Sequence, residues 1–94
     1  MSQTVQLFPL GQIVATPGAL AALEQAGQSA HEFLTRHAHG DWGQVDEDDR
    51  RENALALRAG FRLLSAYQTR LGERLWVITE ANRAATTLLL PDEY

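Results

Sequence analysis

The chain has 94 residues, of which 45% are apolar and 21% are charged, and its formal net charge at pH 7 is −4. These values lie near the averages of globular proteins, so they exclude a disordered or fibrous chain, and the length accommodates one hydrophobic core rather than two. We therefore expect residues 1–94 to form a single domain. The absence of cysteine excludes disulfides, thiolate metal sites and cysteine nucleophiles.

The sequence also predicts the cellular compartment of the protein and the kinds of partner that it binds. No apolar run approaches the ~20 residues that cross a bilayer, and Met1-Ser2-Gln3-Thr4 lack the basic start of a signal peptide. We therefore expect a cytoplasmic protein with no membrane partner. The negative charge argues against nonspecific binding to nucleic acid, because phosphate contacts need a positive surface. The small size is compatible with a homodimer, since short chains bury a limited fraction of their surface.

The first predicted helix follows a short β-branched run at residues 12–15. Thr16 and Pro17 are typical of a helix N-cap and first helical position, because the threonine oxygen accepts a backbone N–H and proline needs no hydrogen bond there. The pattern predicts a helix over about 17–26 that ends at Gly27.

Two further helices follow. Ser29 and Glu32 match the capping box, in which two side chains satisfy free backbone donors reciprocally, so a second helix begins there and Gly40 ends it. Residues 46–49 are all carboxylates and stand at the start of a third helix, where the positive end of the helix dipole favours them. Gly60 ends this helix.

Beyond the third helix the periodicity changes to that of strands. Residues 62–67 and 74–80 contain β-formers and predict the arms of a hairpin, and residues 84–90 predict a third arm. An alternative remains for residues 60–66, which also fit a continuation of the helix. The overall expectation is an α+β fold in which about three N-terminal helices pack on a three- to four-stranded antiparallel meander.

The histidines raise the question of a metal site. His31, His37 and His39 lie close to Asp41, but two helical residues two positions apart diverge by about 200 degrees, given ~3.6 residues per turn. We therefore predict no metal. The chain also lacks the Walker, G-x-G-x-x-G, G-x-S-x-G and H-E-x-x-H motifs, so we predict no cofactor.

A catalytic hypothesis needs a general base, an acid and a cation for developing charge. His37 or His39, Arg83 and the hydroxyl of Thr86 supply such groups, and metal-independent cleavage of RNA through its 2′-hydroxyl needs no others. The competing interpretation is that Thr86 is an ordinary strand residue and that the histidines complete helix ends.

A binding hypothesis rests on charge and aromatic residues instead. A tryptophan exposed on a turn is a typical interface anchor, whereas Trp76, within a predicted strand, is expected in the core. An acidic cluster either meets a basic patch or imitates phosphate charge. The predicted binding residues are the acidic and aromatic ones at turns and ends: Asp41, Trp42, Asp46, Asp48, Asp49 and Tyr94.

Four segments carry a resemblance to a known group of proteins: LGQIVATPGAL, HAHGDWG, LLSAY and LWVITEANRAATTLLLPDEY. Over about residues 10–94 the chain resembles short uncharacterised bacterial proteins of plasmids and other mobile elements, which are often labelled plasmid-related or type I restriction subunit M. A modification subunit needs a methyltransferase domain, for which this chain is too short, so the resemblance does not imply methylation.

A second resemblance concerns layout alone. Helices followed by a sheet are similar to the barnase/EndoU/colicin/RelE-like nucleases, whose helical histidine would correspond to His37 or His39 and whose late-strand hydroxyl would correspond to Thr86 or Thr87. The acidic chain departs from this pattern.

Two functions follow from the sequence. The first is a small acidic, non-catalytic mobile-element protein that binds a host protein, a defence or regulatory factor, through its acidic cluster and an exposed sheet edge. The alternative is a metal-independent ribonuclease of the toxin-like type, which would take nucleic acid as its partner.

Overall fold

The computed structural model describes residues 5–94, so the prediction made from Met1-Ser2-Gln3-Thr4 lies outside the described residues. Its elements in chain order are β1 (Gln12–Ala15), α1 (Pro17–Ala26), α2 (Ala30–Ala38), α3 (Glu47–Ala59), β2 (Leu63–Gln68), β3 (Arg74–Thr79), β4 (Ala85–Leu89) and a short 3₁₀ helix (Pro91–Glu93). Within residues 5–94, every helix falls short of the length and apolar character that crossing a bilayer requires.

The predicted helix starts and the ends of α1 and α3 are confirmed, whereas α2 ends at Ala38 with His39 as its C-cap, short of the predicted Gly40. Thr16, Ser29 and Asp46 are the N-caps of α1, α2 and α3, and each side chain accepts a backbone N–H from the first turn of its helix. Gly27 and Gly60 end α1 and α3 with φ of 66° and 81°, the left-handed conformation that glycine adopts without strain. Local chemistry therefore sets the helix boundaries.

The same glycine stop decides the open question about residues 60–66. The helix ends at Gly60, and β2 begins at Leu63 with alternating burial. Phe61 and Arg62 form the connection, and both are exposed.

The predicted antiparallel meander is wrong. The four-stranded sheet has the order β1-β4-β3-β2; β2–β3 and β3–β4 are antiparallel, but β1 pairs parallel with β4, so the sheet is mixed. Residues 12–15 have too few positions to reveal their partner by pattern. A parallel pair needs a long crossover, and the three helices and the β2–β3 hairpin between β1 and β4 provide it.

The core consists of two apolar clusters on the helix-covered face of the sheet. The first, between α1, α2 and the sheet centre, contains Ala19, Leu23, Phe33, Leu34, Tyr67, Leu75, Val77 and Leu88. The second, towards β2 and α3, contains Phe8, Trp42, Val45, Ala56 and Leu63. Burial of this apolar surface is the main stabilising term of the fold.

The helix-covered face of the sheet carries three hydroxyl side chains among its apolar residues. Antiparallel sheets commonly place apolar residues towards the core and polar ones towards water. Here Ser65, Thr79 and Thr86 are fully buried on the helix-covered face. The opposite, outer face presents a row across all four strands, in register order Leu64, Ile78, Thr87 and Val14.

Trp76 lies on this outer face, so its predicted place in the core is wrong. The side chain is half-buried rather than enclosed, and its ring meets the ring of Tyr94 edge to face with centroids 5.7 Å apart. Strand alternation explains the position, because the buried neighbours Leu75 and Val77 take the core side.

The chain end fastens the start of α1. Glu93 accepts hydrogen bonds from the Thr16 hydroxyl at 2.5 Å, from the Gly18 N–H at 3.1 Å and from the Leu90 N–H at 2.8 Å. These donors lower the pKa of the Glu93 carboxyl, with the Thr16 hydroxyl as the largest cause. Any Cβ at position 18 would collide with this carboxylate.

The side chain of Asn53 and the loop at residues 42–44 cover the outer edge of β2. The Asn53 amide on α3 donates to the Leu64 carbonyl at 2.7 Å and accepts the Leu64 N–H at 3.1 Å. Further along, Ala66 donates to the Trp42 carbonyl at 3.0 Å and accepts from Gln44 N–H at 2.6 Å. An uncovered edge is a template for pairing with other strands, and this edge is occupied.

We predict that Asn53→Ala lowers the free energy of unfolding by about 1–3 kcal/mol, because it leaves two backbone groups of Leu64 without partners in a partly buried place. Urea unfolding measures the loss. Glu52→Ala, one position away on the exposed side of α3, is the matched control and should change the free energy by less than about 0.5 kcal/mol. Equal effects of the two substitutions would contradict the role given to Asn53.

Candidate functional site

His37 lies at the centre of a buried chain of hydrogen bonds. Its side chain is 0% exposed. Nδ1 is 2.6 Å from the Ser65 hydroxyl and Nε2 is 2.9 Å from the Thr79 hydroxyl. The Thr79 hydroxyl is in turn 2.7 Å from that of Thr86, which donates to the Leu10 carbonyl at 2.7 Å. The chain joins α2 to three strands and to the segment before β1.

The carbonyl at the end of this chain sets the position of every proton. Because a carbonyl only accepts, the single proton of Thr86 goes to Leu10, so Thr79 must donate to Thr86. The Thr79 oxygen then accepts from Nε2–H of His37, and Nδ1 accepts from the Ser65 hydroxyl. His37 is therefore the neutral tautomer with its proton on Nε2, and each hydroxyl proton has an acceptor.

The surroundings keep this imidazole neutral. The pKa of His37 is lowered to about 4. Burial is the main cause, and the positive charge of Arg83 is the second. The rings of Phe8 and Trp42 meet the imidazole edge to face, with centroids at 5.2 Å and 5.7 Å. Apolar walls of this kind disfavour a charged ring.

Arg83 is a structural cation rather than a free one. Its guanidinium donates to the carbonyls of Phe61 at 2.7 Å and Ala56 at 3.0 Å, and also to those of Glu80 and Ala81, both at 3.1 Å. The residue has a left-handed φ of 61° in the β3–β4 turn. Arg83 thus fastens the end of α3 and the α3–β2 connection to that turn.

The proposed catalytic residues therefore do not form an accessible site. His37 and Thr86 are connected through Thr79, but both are fully buried, and a phosphodiester has no route to the ring nitrogens. Arg83 makes no hydrogen bond with His37 in residues 5–94; the Phe8 ring lies against both. His39 is separate from this group and bonds through Nδ1 to the Thr35 carbonyl at 2.8 Å.

The other histidine positions explain why no shared site arises. His31 lies on the exposed side of α2, 3.4 Å from the Thr35 hydroxyl, while His37 points into the core. Among residues 5–94, no three side chains of histidine, aspartate or glutamate are grouped closely enough to hold a metal ion.

Asp41 and Trp42 have structural surroundings that the sequence did not reveal. The Asp41 carboxylate pairs with Arg36 at 2.7 Å and accepts the Gly43 N–H at 3.2 Å, and the Arg36 bond is the main cause that lowers its pKa. The prediction that Trp42 is an exposed anchor is wrong: it is 7% exposed and packs on Phe8. The turn aims this ring inward.

The acidic cluster divides into different roles. Asp46 is the N-cap of α3 and accepts from the Asp49 N–H at 2.8 Å, and Asp48 lies 3.6 Å from Arg51 at the surface. Only Asp49 of this cluster borders a groove, together with Glu52 one turn along the helix. Tyr94, the remaining predicted binding residue, is 75% exposed on the far side of Trp76.

This groove between α3 and the start of β2 was missed by sequence reasoning. It encloses about 270 Å³. Leu55 and Phe61 supply apolar walls and are 48% and 55% exposed. We call it the α3 groove; its lining residues are Asp49, Glu52, Asn53, Leu55, Phe61, Arg62 and Leu64.

Two residues described above hold the α3 groove in shape. Asn53 joins α3 to β2 across its floor, and Arg83 holds the Phe61 and Ala56 carbonyls at its end. The sequence signal for the groove was present in Leu55 and Phe61, which are apolar residues next to a charged helix and a glycine stop. These two residues form a groove only because β2 turns back along α3, and no local sequence pattern shows that turn.

Comparison of the chain with protein-family models, with curated proteins and with solved structures finds no match. The resemblance to short plasmid and mobile-element proteins therefore remains a prediction from the sequence.

We predict that stability falls as the pH is lowered from about 6.5 to about 4. The pKa of His37 is about 4 in the folded protein and near 6.5 in the unfolded chain. Between these two pH values His37 is therefore protonated in the unfolded chain but neutral in the folded protein, and this difference favours unfolding. The stability from His37 is complete above pH 6.5 and declines by about 3 kcal/mol at the lower limit. Urea unfolding across this range measures it.

Two controls isolate His37. His37→Phe should destabilise at pH 7, because Ser65 and Thr79 lose a partner, and should also flatten the dependence on pH. His31→Gln, on the exposed side of α2, should keep the wild-type slope. Nitrogen chemical shifts should show the proton on Nε2 of His37 at pH 7, and a proton on Nδ1 would contradict the assignment.

Proposed function

We propose that this protein is a non-catalytic binding module that holds a segment of a partner protein in the α3 groove. The observation that carries this proposal is the exposure of Leu55 and Phe61, 48% and 55%, in a shaped concavity beside the carboxylates of Asp49 and Glu52. Exposed apolar side chains grouped in a rigid groove are typical of interaction sites.

The lining defines the chemistry of the partner segment. An apolar side chain entering between Leu55 and Phe61 removes apolar surface from water, and aromatic groups contribute strongly at such contacts. Asp49 and Glu52 outnumber Arg62, the one cation of the lining, and so favour a lysine or arginine next to that side chain. The negative net charge adds long-range attraction for a basic partner. We propose an apolar residue flanked by basic residues as the recognised segment.

The resemblance to plasmid and mobile-element proteins supports a partner from the host cell. We propose that the partner is a cytoplasmic host protein, a defence or regulatory factor with a basic surface. Neutralising such a surface through an acidic groove requires no cofactor and no reacting group. Asn53 and Arg83 support this function by holding the walls of the groove in place.

We predict that Phe61→Ser abolishes capture of the partner. Tagged wild-type protein and variants are incubated with host lysate, and bound proteins are compared by quantitative mass spectrometry. A partner of the α3 groove is retained by Leu71→Ser, a matched control that is 64% exposed in the β2–β3 turn, and is lost with Phe61→Ser and Leu55→Ser. Equal recovery by all variants would contradict the proposal, as would recovery of nothing specific by the wild type.

A kinetic measurement tests the carboxylates separately. With the captured partner purified, Asp49→Asn with Glu52→Gln should slow association about tenfold at low salt and weaken its salt dependence, because steering by charge is lost. Asp48→Asn, at an exposed position paired with Arg51, should have a smaller effect. Asp46→Asn keeps an N-cap oxygen and serves as the folding control. Unchanged association of the double variant would remove the acidic residues from the mechanism.

The ribonuclease hypothesis has a direct test. Because His37 is buried, we expect total RNA to stay intact when it is incubated with the purified protein in a chelator. Cleavage that disappears in His37→Phe, while the fold is retained, would restore the alternative.

A further inference from the structure

The outer side of β1 is open in the described part of the chain. The N–H groups of Gln12 and Thr16 donate to Ala84 and Leu88 at 2.9 Å and 3.0 Å, so the even-numbered residues face β4. Backbone groups alternate along a strand, and the N–H and C=O of Ile13 and Ala15 therefore point away from the sheet. Within residues 5–94 no hydrogen bond reaches these four groups.

The two edges of the sheet differ in how far other groups cover them. Proteins usually protect an edge strand with charge, proline, a bulge or a covering segment. The β2 edge is covered by Asn53 and by residues 42–44. The four residues of β1 are uncharged, and Ile13 and Val14 are β-branched and 44% and 41% exposed. An edge with this composition is suited to pairing.

We propose that β1 pairs antiparallel with β1 of a second copy across a two-fold axis, which joins two sheets into one of eight strands. The flanking residues limit the register. Gly11, directly before the strand, has a left-handed φ of 66°, and Pro17, shortly after it, has no N–H. The register that uses all the free groups sets Ile13 opposite Ala15 of the partner subunit and forms four hydrogen bonds.

This register brings the two Val14 residues together on the axis. Val14 and Val14 of the partner subunit form a non-hydrogen-bonded pair, in which Cα atoms approach to about 4.5 Å and side chains touch. Both lie on the outer face, in the apolar row that continues through Thr87, Ile78 and Leu64. Pairing therefore covers the most exposed apolar residue of that row and continues the row into the second sheet.

Charge distribution favours a second copy at this edge in spite of the net charge of −4. β1 has no charged residue, so identical edges meet without local repulsion. The acidic helix α3 packs at β2, on the opposite edge of the sheet. With strands about 4.8 Å apart, the acidic residues of the two α3 helices are separated by well over the ~10 Å across which charges act in salt.

Two-fold pairing also predicts an arrangement of the whole assembly. The α3 grooves lie at the two outer ends of the joined sheet, facing away from the contact. This inference does not depend on the proposed function, because it uses different residues. Loss of pairing leaves each groove intact, and loss of partner binding leaves β1 unchanged.

The test uses a charge pair at position 14. Sedimentation equilibrium of the wild type should show a species of twice the 10.4 kDa chain mass that grows with protein concentration. Val14→Lys and Val14→Glu should each sediment as monomers, because like charges face each other on the axis. An equimolar mixture of the two variants should dimerise again, because opposite charges then meet. Leu20→Lys, at an exposed apolar site on α1, should dimerise like the wild type.

A second measurement does not depend on the variants folding. In the wild type, exchange of the Ile13 and Ala15 amide hydrogens should slow at least tenfold as concentration rises, while exchange at the Leu71 amide in the β2–β3 turn stays constant. A wild type that remains monomeric overturns the proposal. So does dimerisation of Val14→Lys alone, or failure of folded Val14→Lys and Val14→Glu chains to restore the dimer on mixing.

Discussion

A neutral histidine inside an apolar interior is the constraint on which the rest of this structure depends. His37 has two ring nitrogens that need partners, and burial makes each unmet bond costly. Ser65 and Thr79 are those partners. The Thr79 hydroxyl in turn bonds to the hydroxyl of Thr86, and Thr86 donates to the backbone carbonyl of Leu10. One polar chain thus sets the relative positions of α2, three strands and the segment that leads to β1. Apolar packing alone tolerates small shifts, whereas this directional chain does not.

The hydroxyl side chains on the core side of the sheet determine which residues lie on its outer face. Since Ser65, Thr79 and Thr86 occupy the core side, alternation places Leu64, Ile78 and Thr87 on the other face. That face is more apolar than a solvated sheet face usually is. The α3 groove begins at Leu64, on the border of the same face. The buried hydroxyls and the apolar residues of the outer face are therefore two results of one strand pattern.

The sequence predicted features that depend on neighbouring residues and missed those that depend on distant ones. N-caps at Thr16, Ser29 and Asp46 are local, so the helices were placed correctly. The partner of β1 is more than 70 positions away, and its parallel pairing followed from no pattern in residues 12–15. Trp42 shows the same limit within a turn: a loop position predicts exposure, but the backbone direction at Asp41–Gly43 decides it.

Candidate site residues follow the same rule. His37 was singled out for its chemistry, yet it is buried with both ring nitrogens bonded to hydroxyls, and these partners lie too far along the chain for a local pattern to show them. Arg83 was read as a free cation because its four carbonyl acceptors belong to three separate segments. Asp46 and Asp48 are occupied by a cap and an ion pair, and the groove takes its apolar walls from Leu55 and Phe61.

The contact of the chain end with the start of α1 has a consequence for synthesis. β1 finds its neighbour only when β4 exists, and Thr16 and Gly18 receive the Glu93 carboxylate only from the final residues. During synthesis, β1 therefore has no strand partner until β4, more than 70 positions later, has emerged from the ribosome, and until then its uncharged strand is unpaired on both sides.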